Sequence, residues 1–169
     1  LMSKKKYPIY DADKVVANLY KRRNFLIKIK KKFHLKNLRN LKNKIKKLIR
    51  KDKRILKELE LIIHPLVRKE MKIFMKRRKN SKILIFEIPL LIESKLMKTF
   101  DKVIFVKTKK TLRLKRYIKQ GKSSIIFKIL DKRQLPPAKK IKFSDYVINN
   151  NSSLKNLKKN VKIIKKKYE

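Results

Sequence analysis

The 169-residue chain carries 54 Lys and Arg against 12 Asp and Glu, a formal net charge of +42, and has no cysteine, which excludes disulfides and thiolate metal sites and fits a reducing compartment. Its apolar runs fall far short of the roughly 20 residues a membrane span needs, and LMSKKKYPIY lacks the apolar core of a signal peptide, so a soluble cytoplasmic protein is expected. The charge points first to nucleic acid. However, the lysines are spread along nearly every segment, Gly occurs once, and Lys outnumbers Arg, the side chain suited to bidentate base and phosphate contacts. That pattern reads as compositional bias, with weak polyanion affinity and no dedicated nucleic-acid partner.

The predicted elements begin with a short strand, Tyr7-Pro8-Ile9-Tyr10, running into Asp11-Ala12-Asp13. A helix follows, with Val15, Val16 and Leu19 on one face and Asp13 expected at its N-cap. Residues 25 to 57 place Leu38, Leu41, Ile45, Leu48 and Ile49 at helical spacing, which predicts amphipathic, lysine-coated helices. Leu56 to Arg68 continues as helix, with an interruption expected at His64-Pro65, and Met71, Phe74 and Met75 form a packing stripe. Ile83 to Phe86 is a β-branched and aromatic run, predicting a strand buried on both faces at the centre of a parallel sheet. Glu87 sets a carboxylate at its carboxyl end, and Pro89 ends the ladder because it has no N–H to donate.

Asp101 precedes a second predicted strand, Val103 to Val106. Lys107 to Lys119 reads as a basic helix broken at Gly121, where a positive φ is cheap. Ile125 to Gln134 reads as a helix stopped by Pro136-Pro137, Ser144 to Ile148 as a third strand, and Leu154 to Lys167 as a final helix. Strands separated by helices imply parallel pairing and right-handed crossovers, an α/β fold.

Four groups of residues carry candidate chemistry: Asp11/Asp13, His64/Arg68, Glu87/Glu93, and Arg113, Arg116 and Arg133. In open α/β sheets ligands bind beyond the carboxyl ends of the strands. Carboxylates placed there, facing arginines, suit phosphoryl transfer: one acid orients a hydroxyl and accepts its proton, and arginines neutralise the migrating phosphoryl group. Each group also has an ordinary reading: a helix cap for Asp13, a structural hydrogen bond for His64, and solvated surface charge for the arginines. No His or Cys partner of His64 supports a metal site, and none is assigned.

The order of these groups is more specific than any one of them. Asp11-Ala12-Asp13, then Leu59-Glu60-Leu61-Ile62-Ile63-His64-Pro65-Leu66-Val67-Arg68, then Ile88-Pro89-Leu90-Leu91-Ile92-Glu93 resembles the dephospho-CoA kinase family, with its DAD, LExIxHPxVR and D-x-PLLFE segments. Glu87 stands where that family usually has Asp, and Ile92 where Phe is common. Arg113-Leu114-Lys115-Arg116 is similar to the lid motif Q-x-x-R, Arg133-Gln134-Leu135-Pro136 to R-Q-x-P, and Ser144 to Asn150 to the closing ADYVIDN. The similarity runs from about Tyr7 to about Val161 and is weakest between Asn24 and Lys53.

The resemblance implies one kinase-like domain over 1–169: a P-loop NTPase-like parallel sheet flanked by helices, a helical acceptor-binding subdomain at 24–80 and a lid at 107–134. It implies ATP with Mg²⁺, dephospho-CoA as acceptor, and a monomer. Asp13 would be the acid at the ribose 3′-hydroxyl, with Asp11 beside it; His64, Arg68, Glu87, Pro89 and Leu90 would shape the acceptor side. Arg116 and Arg133 would serve as catalytic and nucleotide-binding clamps, with Asn149 on the nucleotide. The two basic helices joined at Gly121 are expected to stay open until anionic phosphates neutralise them. The family opens with a strand and a G-x-x-x-x-G-K-[ST] loop. No glycine precedes Asp11 here and Lys4-Lys5-Lys6 cannot replace that backbone, so the reading is of an amino-terminally incomplete copy without its central first strand. These 169 residues alone are then expected to hold ATP weakly, and the competing readings are an inactive remnant or a basic module that binds RNA or another polyanion.

Overall fold

The computed structural model describes residues 7–168; the Lys4-Lys5-Lys6 run lies outside them. Backbone contacts gather the described residues into two compact units, 7–89 and 90–168.

The first unit runs β1 (Ile9–Asp11), α1 (Ala12–Leu19), α2 (Arg23–Lys32), α3 (Leu41–Lys51), α4 (Arg54–Arg77) and β2 (Ile85–Glu87). β1 and β2 pair in parallel, with Ile9 opposite Ile85, Tyr10 opposite Phe86 and Asp11 opposite Glu87. The expected interruption at Pro65 does not occur: α4 is one continuous 24-residue helix containing it. A proline inside a helix frees the carbonyl four residues earlier. That residue is Leu61, which is 69% exposed, so water can satisfy its carbonyl. On the inner face Leu56, Leu59, Ile63 and Met71 are buried, and α1 and α3 pack against this long spine. The periodicity predicted for α3 holds, with Leu41, Ile45 and Ile49 buried while its lysines face water.

Three rings join the strands to α4: Tyr10 lies 5.6 Å from Phe74 and 5.7 Å from Phe86, and Phe74 lies 5.6 Å from Phe86. Tyr10 is buried, and its hydroxyl donates to the Val67 carbonyl at 2.7 Å. Burial first, then the charge of Glu70, pushes its phenol up to about 12. β2 was expected to be buried on both faces, but Ile85 and Phe86 are half-buried and Glu87 is exposed. Among the described residues β2 has a hydrogen-bonded neighbour on one edge, β1, and such a strand is covered less completely than a central one.

The second unit runs β3 (Ile104–Lys107), α5 (Lys110–Lys119), α6 (Ser124–Asp131), α7 (Pro137–Lys142), β4 (Tyr146–Asn149) and α8 (Leu154–Lys166), after a short 3₁₀ turn at Met97–Thr99. β3 and β4 pair in parallel from Ile104 opposite Tyr146 to Lys107 opposite Asn149. The parallel pairing and the intervening helices are as expected, but the described strands form two two-stranded sheets, not one. Asp145 closes the amino end of the second pair: its carboxylate accepts the Val103 N–H at 2.8 Å and meets Lys102 Nζ at 3.0 Å. The bond from Val103, followed by that from Lys102, holds this carboxyl below the usual range. Ile148, Val161 and Ile164 form the core between β4 and α8.

Pro136-Pro137 was read as a stop, yet Pro137 opens α7. The first helical turn needs no N–H at that position, and proline's fixed φ suits it. Gly121 takes φ +71 between α5 and α6, as the helix break required.

Candidate active site

In the first unit the strand ends bring two acids together. Asp11 and Glu87 face one another in register at the carboxyl ends of β1 and β2, and neighbouring strands lie about 4.8 Å apart. α1 starts directly after Asp11. The cap expected of Asp13 belongs instead to Asp11, whose Oδ1 accepts the Lys14 N–H at 3.0 Å and whose Oδ2 lies 3.5 Å from Lys14 Nζ. Asp13 therefore occupies the first turn of α1, exposed, where the helix dipole favours a carboxylate.

His64 and Arg68 are one turn apart on α4, half-buried and exposed respectively, and Pro89 is exposed just past β2. The Tyr10 hydroxyl reaches the carbonyl of the residue before Arg68. It thus ties the strand that ends in Asp11 to the helix turn that carries His64 and Arg68. Sequence reasoning had no signal for this bond, since a tyrosine hydroxyl's partner lies 57 residues away. A cavity of about 580 Å³ in the same unit has Leu19, Phe25 and Leu66 on its walls with Arg22, Arg23 and Lys28 around them.

In the second unit Leu90 is half-buried at the start of a turn, its carbonyl accepting Ser94 N–H at 2.9 Å. Asn149 ends β4, exposed. The loop after it binds back to β3 and α5: Asn150 N–H donates to Lys107 O at 2.8 Å, and Asn151 Oδ1 accepts Lys109 N–H at 2.7 Å. Arg116 Nη2 donates to Asn150 O at 3.4 Å, so Arg116 and Asn149 are gathered at the carboxyl end of the β3–β4 pair. Arg133 is exposed in the loop between α6 and α7.

Arg113, grouped with these arginines on sequence, is spent between α5 and α6. Asp131, its side chain 11% exposed, meets Arg113 Nη2 and Lys110 Nζ at 2.8 Å each. The Tyr117 and Phe127 rings stack at 5.5 Å, and the Arg113 guanidinium lies over Phe127. α5 and α6, expected to be held open by their charge, are clasped to each other, because one largely enclosed carboxylate neutralises two of the cations that face it. Burial pushes the Asp131 carboxyl up, but the bonds and charges of Lys110 and Arg113 outweigh it and hold the pKa below the ordinary value. A depressed folded pKa means stability present above the unfolded value and lost as pH falls through the folded one. The melting-temperature gap between wild type and Asp131→Asn is therefore expected at pH 7 and should close below about pH 3.9. A gap absent at pH 7, or one that does not narrow as the pH is lowered through the carboxylate titration, would refute the clasp.

Parallel strands followed by helices, with acids at one pair of strand ends and Arg and Asn at the other, define an α/β protein whose functional groups collect at strand carboxyl ends. The chain belongs to the dephospho-CoA kinase family: residues 1–156 match the family described as dephospho-CoA kinase, CoaE. A dephospho-CoA kinase from Fusobacterium nucleatum is 34% identical over 166 residues, 95% of this chain and 85% of that protein. A dephospho-CoA kinase structure from Campylobacter jejuni superposes with a TM-score of 0.65 at 28% identity, covering 97% of this chain and 86% of that one. A Thermus thermophilus crystal structure shares the fold, with a TM-score of 0.71 at 24% identity over 96% of this chain and 85% of that one. The family favours the kinase reading over the polyanion-binding one. Among the described residues no helix is long and apolar enough to cross a membrane.

Proposed function

We propose that the protein transfers the γ-phosphoryl group of ATP to the ribose 3′-hydroxyl of dephospho-CoA, the final step of coenzyme A synthesis. The observation that carries this reading is the placement of Asp11 and Glu87 at adjoining strand ends with Asp13 in the helix turn that follows. Asp13, with Asp11 already engaged as the cap, is the acid that orients the acceptor hydroxyl. Its contribution is mainly orientation of the acceptor hydroxyl. His64 and Arg68 line the acceptor side, with Glu87, Pro89 and Leu90. The cavity with apolar walls and basic neighbours in the same helical region suits an acceptor that joins phosphates to an apolar arm. Arg116 and Arg133 offset the charge of the migrating phosphoryl group, and Asn149 contacts the nucleotide.

Mg²⁺ enters with ATP as part of the co-substrate. Among the described residues no three His, Cys, Asp or Glu side chains converge as a metal cage. Mg²⁺ needs none, being held typically by one or two carboxylates and the substrate phosphates. Asp11 and Glu87 are the oxygen donors that the fold sets side by side, and the ion would draw charge from the phosphate oxygens. The reading includes a monomer working in the cytoplasm. The protein, incubated with Mg·ATP and dephospho-CoA, is expected to form CoA and ADP in equal amounts. ADP release that does not depend on dephospho-CoA would refute the assignment.

A further inference from the structure

Among the described residues Lys140 is the buried charged residue, 5% exposed. Its Nζ lies 2.8 Å from Glu93 Oε1 and donates to Gln134 Oε1 at 3.1 Å, beside the Phe105 ring of β3. Glu93 Oε1 also accepts the Leu135 N–H at 2.8 Å, and Ser144 Oγ donates to the Lys140 carbonyl at 2.7 Å. We propose that Glu93 and Lys140 are positioning residues that fix the loop bearing Arg133. This rests on the reading of Arg133 as a phosphate clamp.

The loop is pinned on both sides of Arg133. Two residues before it, Asp131 is held by Lys110 and Arg113. Immediately after it, Gln134 is held through its side chain by Lys140 and Leu135 through its backbone by Glu93, and Pro136 and Pro137 then stiffen the entry to α7. Arg133 thus projects from a span of about three residues between fixed points. Stability alone does not explain the pair. A buried ion pair is often no better than apolar residues of the same volume, and Glu93 Oε2 is buried without a hydrogen-bond partner. Apolar side chains would fill the same space without that cost, but they could not bind the Leu135 N–H or the Gln134 amide oxygen.

The test separates holding the loop from holding the fold. Glu93→Leu and Lys140→Met alone should each lower the melting temperature, because each leaves one buried charge unpaired. The double variant should regain most of that temperature yet keep kcat depressed on the order of 10²-fold with the KM for dephospho-CoA little changed, the cost of a misplaced group. Added to Arg133→Ala, the double change should lower kcat no further. A double variant with both melting temperature and kcat restored overturns the proposal. Arg133→Ala with unchanged kcat would instead sink the clamp reading on which the proposal depends. Should the double variant fail to regain its melting temperature, Gln134→Ala decides, since it removes one tether and leaves the charge pair intact. A lowered kcat at unchanged melting temperature supports positioning, and a wild-type kcat overturns it.

Discussion

Replacing Asp13 with Asn is expected to lower kcat by about 10²–10⁴-fold while leaving the affinity for ATP and the melting temperature nearly unchanged. The structure makes this variant informative. Because Asp11 caps α1, Asp13→Asn leaves the Lys14 N–H satisfied and the helix start intact. Asn keeps the shape of Asp and loses only the charge, for which the helix dipole accounts for about 0.3–1 kcal/mol at an exposed site. The acid's work at the acceptor hydroxyl is an interaction made in the transition state and not in nucleotide binding. Steady-state kinetics on both substrates, with calorimetry for ATP, measures the split. A kcat within about tenfold of wild type would remove Asp13 from the reaction, being well short of what an acid–base group contributes.

Arg116→Ala and Arg133→Ala are each expected to lower kcat by about 10²-fold, and more than they raise the KM for dephospho-CoA. Arg→Lys should rescue little at either position. Arg116 already uses one nitrogen on the Asn150 carbonyl, and its planar fork can keep that bond while offering another nitrogen to a phosphate oxygen. An ammonium is a point charge with no such fork. The competing view treats both residues as surface cations interchangeable with neighbouring lysines, and wild-type turnover by both Lys variants would establish it. Arg113→Ala should behave differently. Its guanidinium is committed to Asp131 and stacked over Phe127, so the loss should appear first in the stability of the α5–α6 pair.

Much of the architecture was legible because local rules acted alone. Three-and-four spacing of Leu41, Ile45 and Ile49 places an apolar stripe on one side of any helix those residues form. Gly121 marks a break because a positive φ there costs no Cβ clash. The errors share a cause. Pro65 was taken to interrupt a helix, but the rest of α4 buries enough apolar surface to carry it, and Leu61, whose carbonyl it frees, is an exposed residue. Asp13 was read as the cap because one sequence offers two carboxylates two residues apart, and only the path of the chain leaving β1 selects Asp11.

By itself, the sequence determined the family, the order of the elements and the acids at the ends of two strands. These follow from residue type and spacing along one chain. Tertiary structure alone decided that Asp11 faces Glu87, that Tyr10 grips α4 at Val67, and that Asp131 clasps two helices which bulk charge would drive apart. It also singled out Lys140 as the buried cation among the described residues. Nothing in the local sequence distinguishes that lysine from its neighbours. Its role comes from the withdrawal of its ammonium from water, which makes an ion pair with Glu93 obligatory, and burial depends on segments dozens of residues apart in the chain.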